Sequence, residues 1–143
     1  MYSRIVVGTD GTDRSLIAVD HAARLAAAFA AELHVVAAAS PSATPVRPTA
    51  TIPAVMAQLS DASAKTAARI GRDVCKRHGV RVIEHPRVGE AASVLMAVAD
   101  AIDADLIVVG NTVMSGHIRK FSGSVASRLG HQSNRAVLIV HTG

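Results

Sequence analysis

The residues of this chain that could do chemistry stand at the ends of short apolar runs. Leu106-Ile107-Val108-Val109 is β-branched at three of its four positions and reads as a buried strand, which Gly110 stops. After an intervening polar stretch, Gly123-Ser124 precedes Val125-Ala126-Ser127-Arg128-Leu129, which reads as a helix. A strand, a glycine-bearing loop and a helix start make a phosphate-binding geometry. Glycine permits close backbone approach, and the free N–H groups of a first helical turn point at an anion with the helix dipole behind them. Gly123 and Ser124 stand where those N–H groups belong, and the Ser124 hydroxyl is a further donor. The bland alternative is a plain strand-to-helix turn with a serine N-cap. A second candidate is Asp10, which follows the apolar run Arg4 to Gly8 by two residues and so projects near the C-terminal edge of that strand.

Other chemistries fail on residue type or spacing. Ser115, Ser122 and the histidines are scattered, and no nucleophile, base and orienting group can be assembled from them, so the chain does not read as an enzyme. A Walker loop needs Gly-Lys-Ser/Thr, which is missing, and Gly8 and Gly11 do not make the Gly-x-Gly-x-x-Gly of a dinucleotide fold. A phosphorylated receiver needs an aspartate where this chain has Val88-Gly89. The single cysteine, Cys75, rules out an internal disulfide framework and a cysteine-based zinc site, and it reads as an inert helix residue. His34 sits near the start of a strand, with no partner at metal-ligand spacing, and reads as structural. Lys65, Arg69, Arg72 and Lys76 form a basic stripe offset from an apolar stripe of Leu59, Ala62, Thr66, Ile70 and Val74. Without aromatic stacking residues that stripe reads as a solvated helix face and not as a nucleic-acid surface. His117 and Lys120 read as exposed loop residues.

The elements that must position these groups follow from composition and pattern. The chain has 143 residues, half of them hydrophobic, a net charge of +4, and only Tyr2, Phe29 and Phe121 as aromatics. That is enough for one domain, 1–143, with a core of Ala, Val, Ile and Leu. No apolar run approaches the ~20 residues of a membrane span, and the N-terminus runs into a strand with no basic-then-apolar leader. The expectation is a soluble cytoplasmic protein. Strands are expected at Arg4–Gly8, Leu33–Ala39, Val80–Val88, Leu106–Val109 and Val137–Val140. Helices are expected from Thr12 or Asp13 to about Ala31, from about Val55 to His78, at Ala91–Ile102, and from Ser124 to about His131. Ser40 to Pro53 holds Pro41, Pro45, Pro48 and Pro53 and reads as a long loop. The alternation predicts a five-stranded parallel sheet of order 3-2-1-4-5 with helices on both faces, a Rossmann-like α/β fold. Pro86 suits strand 3 to an edge. The order reverses between strands 1 and 4, which puts Asp10 beside Gly110 at the ligand-binding switch point of such sheets.

Val7-Gly8-Thr9-Asp10-Gly11-Thr12-Asp13, the pair Val109-Gly110, the triplet Gly123-Ser124-Val125 and Val137-Leu138-Ile139-Val140-His141 together resemble the universal stress protein family, with the element order kept along the whole chain. The family's motif is glycine, two residues, glycine, nine residues, glycine, then Ser or Thr. Gly110, Gly123 and Ser124 match it; the middle glycine falls on Val113, and Gly116 is out of register.

The resemblance implies an adenine-nucleotide site made of Thr9, Asp10, Ala38, Val109, Gly110, Gly123, Ser124 and Val125. Asp10 lies near base and ribose, the Ala38 backbone meets the adenine edge, Gly110 lets the loop approach the phosphates or ribose, and Gly123 to Val125 donate to phosphate. One branch of the family binds ATP and some actinobacterial members bind cyclic AMP. Valine at 113 disfavours the positive φ of a motif glycine, so cyclic AMP or AMP is expected ahead of ATP. The alternative is a homodimeric interaction module that binds no nucleotide. Either way the uncharged run Val137–Val140 ends the sheet and predicts a homodimer through that strand.

Overall fold

The structure is a computed structural model that describes residues 1–39, 53–111 and 125–143, with the backbone alone at 53–57. In chain order the elements are β1 (Arg4–Thr9), α1 (Asp13–Phe29), β2 (Glu32–Ala39), α2 (Pro53–Cys75), a 3₁₀ turn (Lys76–His78), β3 (Val82–Val88), α3 (Ala91–Ile102), β4 (Leu106–Gly110), α4 (Val125–Gln132) and β5 (Ala136–Val140). The five strands form one parallel sheet in the order β3-β2-β1-β4-β5, as the alternation predicts. Of the loop expected from Ser40 to Pro53, residues 40–52 lie outside the described residues, as do Val113, Gly123 and Ser124, and Pro53 is the first residue of α2.

Local chemistry sets the ends of the helices. Thr12 caps α1, its hydroxyl accepting from the Ser15 N–H, and Ala30 turns left-handed at φ 54° to close it short of Ala31. Gly79, at φ 67°, closes the 3₁₀ turn that carries α2 onward to His78. Glu90 caps α3 by accepting from the N–H groups of Ala92 and Ser93. In strands buried on both faces, alternate residues serve opposite layers. Ile5, Val7, Leu33, Val35 and Val108 pack on Ala18, Val19, Ala22, Ala23 and Ala26 of α1. Val6, Val36, Ile107 and Val109 pack on Leu95, Val98 and Ala99 of α3 and on Ala126 and Leu129 of α4. Pro86 lies on the edge strand β3, as expected of a residue without an N–H to donate.

The face of α2 departs from the sequence reading. Ser60, Ala64, Ala67, Ala68, Gly71 and Cys75 are buried, whereas Leu59 is 43% exposed and Ile70 37%. Ala62 and Thr66 are exposed too, and of the expected apolar stripe only Val74 packs against the core. Close approach explains the difference. A Cβ on Gly71 would lie 2.8 Å from Val35 Cγ1 and 3.2 Å from Thr9 Cγ2, so only small side chains fit between α2 and the sheet. The bulkier Leu59 and Ile70 are left on the flank. The basic stripe behaves as a solvated, paired face: Lys65 bridges to Asp61, Lys76 to Asp73, and Arg72 to Glu84 of β3. Cys75 is buried, and burial followed by the nearby Asp20 charge pushes its thiol up to about 11, which keeps it inert.

Candidate functional site

The C-terminal ends of β1 and β4 meet at the switch point. Val7 and Val108 are partners across the β1–β4 pair, and Thr9 and Gly110 follow each of them by two residues. The loop from Thr9 to Thr12 is held by a compact set of hydroxyl contacts. Thr9 is buried, its Oγ1 accepts from the Gly11 N–H at 3.1 Å, and it lies 2.7 Å from Ser15 Oγ. The Ser15 hydroxyl donates to the Thr12 carbonyl at 2.9 Å and accepts from the Asp10 N–H at 3.3 Å, so the Thr9 hydroxyl is left to donate to Ser15. Asp10 Oδ1 accepts from the Thr12 N–H at 3.1 Å and the Thr12 hydroxyl at 2.6 Å. One carboxylate oxygen of Asp10 therefore shapes the loop. Gly11 takes φ +83°, and a Cβ there would lie 3.3 Å from the Ala67 backbone of α2, so only glycine lets the loop turn against that helix.

On the β4 side the next residue matters as much as the motif glycine. The Asn111 N–H donates to the Val140 carbonyl at 2.9 Å, and Asn111 Oδ1 accepts from the Thr142 N–H at 2.8 Å and the Thr142 hydroxyl at 3.2 Å. The Asn111 amide reaches His141 Nδ1 at 3.1 Å. Asn111 thus ties the end of β4 to the segment that leaves β5. Gly110 does not have a positive φ; it lacks a side chain where Thr142 stands, because a Cβ would come within 3.0 Å of Thr142 Cγ2. The Val109 side chain is buried against α3 and α4, so only its backbone faces the switch point. Val125 opens α4, and Arg128 one turn later pairs with Glu90, the cap of α3. Burial pushes the Glu90 carboxyl up, but hydrogen bonds from Ala92, Ser93 and Arg128 outweigh it and hold the group below its ordinary range. Two helix starts are thereby tied together on the α3–α4 side of the sheet.

Thr9, Asp10, Val109 and Gly110 thus lie where β1 and β4 end side by side, Val125 begins α4 and packs against the α3 side of the sheet, and Ala38 lies one position beyond the Thr9–Ala37 partners, beside Arg87 of β3. Gly123 and Ser124 lie outside the described residues. Sequence reasoning missed Ser15, Asn111 and Thr142. The Thr12-x-x-Ser15 spacing carries a capping signal that points to Ser15, and Asn111 directly follows Gly110; nothing near Thr142 in sequence marks its role. His34 keeps its structural reading but is not solitary. It has a partner, His85 of β3, with Nδ1 2.7 Å from His85 Nε2, while its Nε2 lies 2.7 Å from Glu32 Oε1. Register alone brings these residues together, 51 positions apart. Among the described residues no group of three or more His, Cys, Asp or Glu side chains could hold a metal, and no helix is long and apolar enough to cross a membrane. A cavity of about 200 Å³ lined by Met96, Asp100, Gln132 and Arg135 among others lies toward the N-terminal end of β5, away from these residues. Its Arg135 guanidinium is engaged by Asp100, Asp103 and the Ala104 carbonyl.

Comparison with known proteins bears on this arrangement. The pattern described as the universal stress protein family matches residues 1–141. Universal stress protein Rv1636 of Mycobacterium tuberculosis is 37% identical over 150 aligned positions, covering 99% of this chain and 97% of that protein. Universal stress protein MJ0531 of Methanocaldococcus jannaschii is 30% identical, covering 98% and 82%. A crystal structure of a universal stress protein in complex with cAMP superposes with a TM-score of 0.75 at 36% identity, covering 99% of this chain and 98% of the other.

Proposed function

Because this chain belongs to the universal stress protein family, we propose that it is a non-catalytic regulatory module that binds an adenine nucleotide where β1 and β4 end. The observation that carries this reading is the juxtaposition of the Thr9-Asp10-Gly11 loop with Gly110 where β1 and β4 end side by side. The relative solved with cAMP supports it. Asp10 serves the ribose and base side with the carboxylate oxygen that does not hold Thr12, since a carboxylate repels phosphate. The Ala38 backbone meets the adenine edge. Gly123, Ser124 and Val125 supply donors to phosphate, with Thr9, Val109 and Gly110 forming the floor. Valine in the motif's middle position makes cyclic AMP or AMP the preferred ligand over ATP.

Titration calorimetry with cyclic AMP, AMP and ATP, on the natural chain and on Val113→Gly, tests the reading. Cyclic AMP or AMP is expected to bind more tightly than ATP. Val113→Gly is expected to improve ATP binding by about 1 kcal/mol, the scale of one relieved backbone strain. Tight ATP binding by the natural chain removes the ligand preference.

A second reading has its own observation. Asp10 Oδ1 is occupied by Thr12, and the space beside Gly110 is filled by Thr142, so both residues have structural work without a ligand. That is what a homodimeric interaction module of the same family requires. It shares with the first reading a dimer through β5, an edge strand on which Ile139 is 40% exposed. A melting temperature unmoved by any adenine nucleotide favours it.

A further inference from the structure

The β2–β3 edge carries a line of polar side chains that the proposed site does not use. Glu32 and His34 of β2 and His85 and Arg87 of β3 form one hydrogen-bonded chain. Arg87 Nη2 stands 3.4 Å from His85 Nδ1, His85 Nε2 2.7 Å from His34 Nδ1, and His34 Nε2 2.7 Å from Glu32 Oε1. The two imidazoles stack with centroids 5.0 Å apart. His34 is buried and His85 half-buried. The ends of the chain fix its direction, because a guanidinium only donates and a carboxylate only accepts. At neutral pH, Arg87 donates to His85 Nδ1, His85 Nε2–H donates to His34 Nδ1, and His34 Nε2–H donates to Glu32. Every ring nitrogen is then satisfied by one tautomer of each histidine.

An added proton has two places to go. On His85 Nδ1 it removes the acceptor of Arg87 and puts two cations side by side. On His34 Nδ1 it forces His85 to accept at Nε2 and so to carry its own proton on Nδ1, again facing Arg87. Both microstates break the Nη2 contact with His85 and leave the exposed guanidinium on its Nη1 bond to the Pro86 carbonyl at 2.9 Å. Register places Arg87 opposite Ala38, so the freed group stands at the C-terminal end of the sheet beside the residue assigned to the adenine edge. We propose that Glu32, His34, His85 and Arg87 are a proton relay which, on taking up one proton, releases the Nη2 edge of Arg87 from His85 to meet an anionic ligand at the rim of the nucleotide site. The last clause rests on the nucleotide reading; the relay does not.

The surrounding charges are compatible with this. The bond from His34, and after it the charges of Arg81 before β3 and Arg4 of β1, keep the Glu32 carboxyl below the ordinary range, hence an acceptor. Arg72 of α2 and Glu84 of β3 pair with each other, on the α2 side of the sheet. On α3, which packs against β2, Glu90 pairs with Arg128 and Asp100 with Arg135; on α1, Asp20 is taken by Arg24, Arg77 and His78. Burial, then the nearby His34 and Arg87, lowers the His85 pKa, so proton uptake falls on the acid side of the ordinary histidine range.

The test has a ligand-free arm and a ligand arm. In the first, NMR follows the His34 and His85 ring signals and the Arg87 side-chain N–H from about pH 8 to about pH 5. The three are expected to move along one curve, and His85→Gln to leave the Arg87 signal flat. An Arg87 signal indifferent to titration of the histidines in the natural chain overturns the relay. The second arm compares cyclic AMP, whose phosphodiester keeps its charge over this range, with adenosine. Cyclic AMP is expected to bind about fivefold tighter at the acid end, the scale of one exposed charge-assisted contact. Adenosine is expected to show no such change, and Arg87→Gln to abolish the difference. A pH-independent cyclic AMP affinity alongside a working relay overturns the ligand half of the proposal. Failure of both ligands to bind at either pH overturns the nucleotide reading and that half with it, and the ligand-free arm still decides the relay.

Discussion

A methyl group placed on Gly110 meets Thr142. Its carbon would lie 3.0 Å from Thr142 Cγ2, 3.6 Å from Thr142 Oγ1 and 3.9 Å from Ala18 Cβ. Thr142 cannot yield freely, because it is buried and both its N–H and its hydroxyl are bonded to Asn111 Oδ1. Overpacking of this kind costs about 1–3 kcal/mol. The backbone at Gly110 is outside the left-handed region, so alanine also gains about 0.4–1 kcal/mol through the unfolded chain. With a clash near the lower middle of that range, Gly110→Ala is expected to destabilise by about 1 kcal/mol. Thr142→Ser removes the offending methyl, keeps the hydroxyl, and by itself costs about 0.8 kcal/mol of lost burial. In the serine background the clash is gone and only the unfolded-state gain remains, so Gly110→Ala reverses sign and stabilises by about 0.5 kcal/mol. The coupling is then about 1.5 kcal/mol, within the usual range for residues in contact. Urea unfolding of the four proteins measures it. The same sign for Gly110→Ala in both backgrounds would refute the packing account. The double variant also separates the two roles of this glycine: restored stability with lost cyclic AMP binding means the space beside Gly110 belongs to the ligand as well.

Other perturbations have equally direct outcomes. Asp20 is pushed up by burial but receives His78, Arg77 and Arg24, and its carboxyl ends at about 2. Because that value is depressed, its stabilisation is present above the unfolded carboxylate value of about 4 and fades as pH falls toward the folded one. Asp20→Asn should therefore cost about 1–2 kcal/mol at neutral pH, allowing for solvent screening, with the gap to the natural chain closing in acid; a gap constant with pH in urea unfolding would count against this account. Asp10→Ala should loosen the loop by about 1 kcal/mol through loss of the Thr12 bonds and weaken nucleotide binding, and full affinity in calorimetry would confine Asp10 to the loop. Ile139→Lys puts a charge on the β5 edge and should convert a dimer to a folded monomer by light scattering; an unchanged mass would move the interface elsewhere.

The amino-acid sequence by itself determined the architecture of this protein. Element type, order and approximate ends come from short-range signals: the apolar runs, the Thr12 cap, Gly79 after α2, and Pro86, which cannot donate in a central strand. With right-handed crossovers these leave little choice for the strand order, and the strand order brings Asp10 to Gly110. What needed the tertiary structure was each feature set by close approach or register. The buried face of α2 follows the small residues Ala64, Ala67 and Gly71, because the helix lies too near Val35 for anything larger, while helical periodicity weighted the bulkier Leu59 and Ile70. His34 looked solitary because its partner is supplied by strand pairing and not by spacing along the chain. The motif marks Gly110 as a ligand glycine; that Thr142 also stands where its side chain would be depends on β5 returning beside β4. Local sequence encodes dihedral preference and polarity, and these suffice for elements and topology. Distances between residues remote in sequence arise only once the sheet has fixed its register, and the contacts of Gly110 with Thr142 and of His34 with His85 are built from those distances.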